Sequence, residues 1–286
     1  MLALKIPSYS FDLTKTIESG QVFQWIRINE TYSGIIAREM VSLEQSEETL
    51  KIHQGRLETV QRYFALDHPL ADIVKSFPTD PALNLATEFC RGLRIMRQEP
   101  WECVATFITS ALKQVPHIRQ ISLDLRRRYG EEIAEKFYAY PTAESLAQAG
   151  ETALRESRLG FRAKNLAGAS RMIADGKMDL ENLRHLPTAE LRKELCRLPG
   201  VGEKVANCVL LFAYERLESF PIDVWIERVL RELYFAKKRK VISQRLRDFS
   251  ATYFGPYAGY AQQYLFHHAR LTMKKRGSLS IIKLPR

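Results

Sequence analysis

Cysteine is scarce in this chain: 4 in 286 residues, Cys90, Cys103, Cys196 and Cys208. No two of them form a CxxC pair, and no spacing fits a zinc or iron–sulfur site. That points to a reduced, cytoplasmic setting with no metal and no cluster. Long apolar runs are missing as well. The most apolar one, residues 205–214, is far short of the ~18–20 residues that span a bilayer. The opening MLALKIPSYS has no apolar segment long enough for a signal peptide. No membrane partner is therefore expected. Internal repeats and low-complexity stretches are also absent.

What is present is ordinary for a soluble globular protein: 45% hydrophobic and 27% charged residues, with length enough for two domains or one large one. The charge balance is less ordinary. Lys+Arg 43 against Asp+Glu 33 gives +10 and a pI near 9.4. This favours a polyanionic partner, a property shared by ribosome-associated and membrane-surface proteins.

Residues 1–55 read as strands: 22–28, then 33–37, 41–43 and 50–52, with turns at 29–31 and 46–48. The partial alternation fits an antiparallel sheet with one covered face. From residue 56 the period becomes helical. Leu57, Val60 and Phe64 share a face, and a helix is expected over 83–96. Another opens at Pro100, Gly130 is a stop, a short helix runs from Pro141-Thr142 to Gly150, and one more covers 163–174.

The most informative stretch is 188–230. Leu191, Leu195 and Leu198 mark a first helix, and Val205, Val209 and Phe212 a second. Between them lies Leu198-Pro199-Gly200-Val201-Gly202. Proline cannot continue the first helix, and the two glycines accept unusual backbone angles. The N–H groups of Gly200, Val201 and Gly202 would face outward at a helix N-terminus, a ready phosphate site. Lys204 sits in the first turn of the second helix. The partial positive charge there disfavours an ammonium, so the amine should deprotonate more easily and become a nucleophile. Asp223 follows Phe220-Pro221-Ile222, where another helical pattern begins. On their own, Lys204 also fits a solvated surface lysine and Asp223 an N-cap.

LPGVGEKVANC followed by FPIDV resembles the helix–hairpin–helix DNA glycosylase superfamily and, within it, the 8-oxoguanine DNA glycosylases. The resemblance implies that Lys204 attacks the sugar C1′ and that Asp223 assists. Lysine at this position marks the strand-nicking members, and the iron–sulfur branch is excluded by the cysteine pattern. Residues 19–25, SGQVFQW, resemble the SGQxFxW stretch of these enzymes. There the carbonyl matching Gly20 accepts a hydrogen bond from N7–H, a proton that 8-oxoguanine has and guanine lacks. Residues 255–266, GPYAGYAQQYLF, resemble GPYAGWAQxxLF. This implies that Gln262 reads the Watson–Crick edge of the flipped base while Phe266 and Cys208 enclose its two faces. From the residues alone, Gly20 also fits a turn glycine, Cys208 buried filling and the last helix ordinary core.

The family pattern is not complete. Within residues 107–114, Leu112 stands where an asparagine fills the gap left by the base, and His117 where an arginine helps read the opposite cytosine. Phe161-Arg162 stands for a tyrosine–arginine pair, so an aromatic wedge and one arginine remain. With polar readers missing, strict selection for an opposite cytosine is not implied. Trp225 replaces a frequent histidine near the 5′ phosphate. The basic clusters 237–240 and 274–276 add non-specific phosphate attraction.

The implied fold is α+β. An N-terminal antiparallel sheet domain with flanking helices (1–96) precedes a mostly helical, two-lobed body (97–273), with the helix–hairpin–helix at 188–214 and a basic tail at 274–286. The implied activity is bifunctional: excision of 8-oxoguanine from duplex DNA by base flipping, then Schiff-base formation and β-elimination. The expected partner is double-stranded DNA containing oxidised guanine, met by a monomer without a cofactor, close to the nucleoid in a bacterium. Three other readings stay open: a helix–hairpin–helix glycosylase for alkylated purines, a non-catalytic DNA-binding module, and a basic RNA-binding protein.

Overall fold

The computed structural model describes residues 2–111, 113–235 and 241–273. Strand β1 (Leu2–Lys5) is followed by a short helix, α1 (Leu13–Glu18), then β2 (Ile26–Ile28), β3 (Thr31–Ile36), β4 (Glu39–Ser46) and β5 (Thr49–Gln54). They form a five-stranded antiparallel sheet in the order β1-β5-β4-β3-β2. Its covered face buries Val41, Leu43, Leu50 and Ile52 against Phe11, Trp25 and Phe64. Phe64 meets Phe11 edge-on at 5.3 Å and Trp25 at 5.8 Å. Each such side chain, fully buried, stabilises by about 1.5–3 kcal/mol.

The rest is helical apart from one small hairpin. Helices α2 (Leu57–Tyr63), α3 (Leu70–Lys75), α4 (Pro81–Phe89), α5 (Pro100–Ser110) and α6 (Val115–Tyr129) lead to the hairpin β6 (Glu132–Ala134) and β7 (Phe137–Tyr138). Then come α7 (Ala143–Leu154), a π-helical turn Arg155–Leu159, α8 (Arg162–Ala174), α9 (Thr188–Leu195), α10 (Glu203–Ala213), α11 (Val224–Val229), α12 (Ser243–Tyr253) and α13 (Ala258–Thr272). A second core joins residues from Leu70 to Ala269. Buried Arg94 ties the two parts together. Its guanidinium donates to the carbonyls of Ser10 (2.8 Å), His68 (3.1 Å) and Ala65. No helix among the described residues is long and apolar enough to cross a membrane.

Three sequence expectations are corrected. Residues 13–18 are helical inside the expected strand region, because Asp12 caps them by accepting from Lys15 N at 2.8 Å. The strand expected over 22–28 shrinks to Ile26–Ile28. Before it, Val22, Phe23 and Trp25 are all buried, and Gln24 donates to the Tyr63 hydroxyl at 2.6 Å, so alternation cannot hold. The helix expected over 83–96 stops at Phe89. Gly92 has φ 82°, and a Cβ there would lie 2.4 Å from the Ser8 carbonyl oxygen, so the chain turns at the one residue that fits. Gly150 (φ 74°, ψ 172°) leaves helical geometry where the sequence places the end of that helix, and a further short helical turn runs on to Leu154.

Candidate active site

The turn between α9 and α10 is tight because two glycines let it lie against α8. Gly200 has φ +83°, and a Cβ there would come within 2.8 Å of Asn165 Cβ. Pro199 leans on Gly168, where a Cβ would be 3.1 Å from the proline Cγ. Val201 N closes the turn on Leu198 O at 3.0 Å. Gly202 is exposed, and no side chain caps α10. The first N–H groups of that helix are thus left for an outside acceptor.

Lys204, partly buried, extends from the first turn of α10. Its Nζ lies 5.0 Å from the Phe107 ring centroid. Phe107 is held flat, stacked on Phe212 at 5.5 Å and 8° and met by the edge of Phe23 at 6.3 Å. One turn along α10 is Cys208, 3% exposed. Burial pushes its thiol up to about 11, with the Lys204 charge pulling down and the Asp223 charge pushing up. Asp223 caps α11, where its Oδ1 accepts from Ile226 N (2.8 Å) and Trp225 N (3.1 Å). Burial raises its pKa above the ordinary value, against the opposing pull of those N–H groups and of Lys204. Lys204, Cys208 and Asp223 therefore share one electrostatic neighbourhood.

A second group of expected residues meets at Gly20 (φ +87°). A Cβ there would lie 3.1 Å from Val115 Cγ2 and 3.3 Å from Phe266 Cε1. Side chains grip the backbone around it. Arg270 donates to Glu18 O at 2.6 Å, Gln263 to Ser19 O at 3.1 Å and Gln98 to Gln21 O at 2.8 Å. The Gly20 carbonyl sits in the middle of this row. Gln262, 4% exposed, keeps its Oε1 buried without a protein partner. A buried, unpaired amide oxygen is costly, about 1–3 kcal/mol, unless a ligand or water meets it. Of the two neighbouring glutamines, Gln263 is committed to the protein and Gln262 is not.

Residues 3–104 match the family described as 8-oxoguanine DNA glycosylase, N-terminal domain. Residues 107–251 match the HhH-GPD superfamily base excision DNA repair proteins. The 8-oxoguanine glycosylase/lyase of Clostridium acetobutylicum, solved with duplex DNA containing cytosine opposite 8-oxoG, superposes with a TM-score of 0.86 at 33% identity, over 91% of this chain and 92% of that one. This chain belongs to the 8-oxoguanine DNA glycosylases of the helix–hairpin–helix superfamily. It is also 28% identical to the N-glycosylase/DNA lyase OGG1 of Arabidopsis thaliana, over 92% of this chain and 78% of the relative. Against the N-glycosylase/DNA lyase of Saccharomyces cerevisiae the identity is again 28%, over 89% and 82% of the two chains.

Against that family pattern, two expected DNA-contact residues behave differently. Phe161 is 56% exposed, as a wedge must be. Arg162 is 5% exposed and turned inward: it donates to Ala111 O through Nε (2.6 Å) and Nη2, and to Leu159 O through Nη1 (3.2 Å). Its guanidinium is thus engaged by backbone carbonyls in the protein without DNA. Its neighbours are backbone carbonyls left over at the ends of two helical segments. His117 is exposed and Trp225 part-buried. Leu112 and the basic clusters at 237–240 and 274–276 lie outside the described residues. A cleft of about 560 Å³ lies apart from all of these, between Ile26 and Ile35 of the sheet and Arg127 and Arg128 of α6. It is lined by none of the expected site residues.

Sequence reasoning passed over Phe107 and Arg270 as site residues and left Gln263 open as the alternative to Gln262. Phe107 and Arg270 carry no local signal, since a helical Phe reads as core and a helical Arg as surface. Gln263 was adjacent to the predicted reader, and only geometry separates the two.

Proposed function

We infer that this protein is a bifunctional DNA glycosylase that excises 8-oxoguanine from duplex DNA and nicks the resulting abasic site. The observation that carries the reading is the placement of the Lys204 amine in the same neighbourhood as the partly buried Asp223 carboxyl, inside a family whose members are named N-glycosylase/DNA lyases.

The target base lies inside the stack and must be turned out to react. The N–H groups of Gly200 and Gly202 hold a backbone phosphate at the start of α10, while that of Val201 is spent on Leu198 O inside the turn. Phe161 enters the step that the base vacates. The everted base lies between Cys208 and Phe266. Cys208 suits a wall, because a thiol raised to about 11 is neutral at physiological pH. The Gln262 amide meets the Watson–Crick edge, and the Gly20 carbonyl accepts N7–H. Guanine places a lone pair there, leaving two acceptors face to face, so one buried contact discriminates strongly.

Lys204 Nζ then attacks C1′, and the C1′–N9 bond breaks with the base leaving protonated. Asp223 stabilises the positive charge that grows on the sugar. Opening of the sugar ring gives a Schiff base between Nζ and C1′. Loss of a C2′ proton expels the 3′ phosphate, and water releases the enzyme. The carboxylate also orients the amine, and the flat Phe107 ring supports it from below. The reading carries a monomer acting on double-stranded DNA, in the cytoplasm or on a nucleoid.

The test is a set of duplexes carrying 8-oxoguanine or guanine opposite each base, with base release and strand cleavage scored separately. Both should occur at 8-oxoguanine and neither at guanine. Release of alkylated purines without cleavage would support the alkylpurine reading instead.

A further inference from the structure

The cleft of about 560 Å³ beside the sheet takes its walls from four separate places in the chain. Ile26 and Ile35 come from the sheet, Ile121 from α6 and Phe137 from the β6–β7 hairpin. The fourth place is the π-helical turn, which supplies Ser157 and Arg158. One part of the lining is therefore apolar and aromatic, and the other is charged. A volume of this size lies in the range of small-molecule sites.

The charged part has a surplus of one sign. Arg126, Arg127, Arg128, Lys136 and Arg158 line the cleft, against the carboxylates of Asp124 and Glu156. Those carboxylates are already engaged: Asp124 meets Arg127 at 3.1 Å and Arg128 at 3.0 Å, and Glu156 meets Arg128 at 3.7 Å. The Lys136 ammonium has Glu135 at 3.5 Å, with both side chains exposed. Arg158 has no carboxylate partner among the described residues. The helix dipole accounts for arginines in the last turn of α6, where the carbonyl end is negative. It does not account for Lys136 and Arg158, which reach the same cleft from two other elements. Arg158 does so with φ 61° and ψ 20°, a left-handed backbone that side chains disfavour. Arg126, 3% exposed, donates to Tyr138 O at 3.1 Å and to Glu102, yet its Nε is buried without a protein partner. Such a donor is costly unless an acceptor from outside meets it.

We propose that this cleft binds a nucleoside phosphate, separately from the base slot: the flat base lies on the apolar part of the lining, against Phe137 and Ile121, and the phosphates take Arg127, Lys136 and Arg158. Each half of the ligand answers one half of the lining. A guanidinium presents a fork of donors matched to phosphate oxygens, and an aromatic face accepts a base by stacking. A bare phosphate would leave the apolar walls unused, and an uncharged ring would leave the cations unmet. The cleft shares no residue with Lys204, Asp223, Gly20, Gln262 or Phe266. Ile26 and Ile35 belong to the sheet and the cations to the helical part, so an occupant braces one against the other. Binding to the folded protein alone then raises its melting temperature.

The experiment is calorimetric titration of the full-length protein with ADP, adenosine, inorganic pyrophosphate and a single-stranded dA dodecamer, with melting temperatures measured alongside. ADP should bind one to one, and adenosine and pyrophosphate each at least about tenfold more weakly, since each lacks one of the two contacts. Lys136→Glu and Arg158→Glu, both at exposed positions, should each weaken ADP by about tenfold, the loss of one charge-assisted contact. ADP should raise the melting temperature of the unaltered protein and not that of the double variant. Gln262→Ala should bind ADP as the unaltered protein does. The dodecamer separates the two sources of such a group: binding of the strand but not of ADP, weakened by Lys136→Glu and Arg158→Glu, assigns the cleft to a nucleotide within a nucleic-acid strand. Pyrophosphate binding as tightly as ADP would reduce the cleft to a patch for anions and overturn the proposal. So would ADP binding lost in Gln262→Ala, which places the ligand in the base slot, or affinity for ADP and the strand unchanged by both charge reversals. Failure of the protein to excise 8-oxoguanine leaves these titrations as they stand, since the cleft does not rest on the glycosylase reading.

Discussion

Asp223 caps a helix and faces a lysine with the same carboxyl group, and the two duties can be pulled apart. Burial raises its pKa above the ordinary 3.8. An acid whose folded pKa is raised binds its proton more readily when folded. The fold is therefore unburdened by this group below the ordinary aspartate range, and carries a growing penalty as pH rises through the folded value. Asp223→Asn keeps an acceptor for Trp225 N and Ile226 N and removes the charge. Its melting temperature at neutral pH should equal or exceed that of the unaltered protein, while excision falls by about 10²–10³-fold, the scale of losing an aligned electrostatic partner. For the unaltered enzyme, excision should decline on acidification at a pH above the usual carboxylate range, and the residual activity of Asp223→Asn should lack that limb. A matched fall in stability and activity would mean that the cap, not the charge, is what the reaction needs.

At the scale of elements, α13 is the part that sequence and structure divide between them. Its motif announces Gln262 and Phe266, but its glycine does different work. A Cβ on Gly259 would sit 2.2 Å from Leu211 Cδ1 and 3.0 Å from the carbonyl oxygens of Leu217 and Ser219. Gly259→Ala should therefore destabilise by about 1–3 kcal/mol, as overpacking does, seen as a lower melting temperature with the base slot unchanged in kind. Gly20→Ala should act the other way round. Its left-handed backbone adds about 1–2 kcal/mol of strain, but the new methyl group points at Val115 and Phe266, so the larger effect should be a raised KM for the lesion. Elements with a repeating signal were legible: α5, α8, α9 and α10 start within a residue or so of where capping and periodicity put them. Elements fixed by one distant contact were not. The start of α1 has a local cap in Asp12, but it is also held by Leu13 N donating to the distant Gln45 Oε1, and the turn at Gly92 is decided by Ser8, which is remote in sequence.

Across the whole molecule, two cores coexist, one under the sheet and one among the helices, with Arg94 between them. We propose a division near residue 96 into a sheet domain (1–96) and a helical body (97–273), followed by a tail (274–286). The candidate site is assembled from both sides of that division: Gly20 from one, Lys204, Asp223, Gln262 and Phe266 from the other. This is why three short motifs far apart in sequence could announce it. Their contacts could not be announced, because Gln263 to Ser19 and Arg162 to Ala111 are long-range bonds with no local pattern. The net charge of +10 should make DNA binding weaken linearly with log salt concentration, while single-turnover excision of bound DNA should change little.

The account depends most on which amine becomes bonded to the sugar. Borohydride reduction during turnover on an 8-oxoguanine duplex, followed by nuclease digestion and peptide mapping by mass spectrometry, reads this directly. The account predicts a reduced sugar remnant on Lys204 and no trapped complex from Lys204→Gln. A remnant on any other amine, or a complex that persists in that variant, would contradict it.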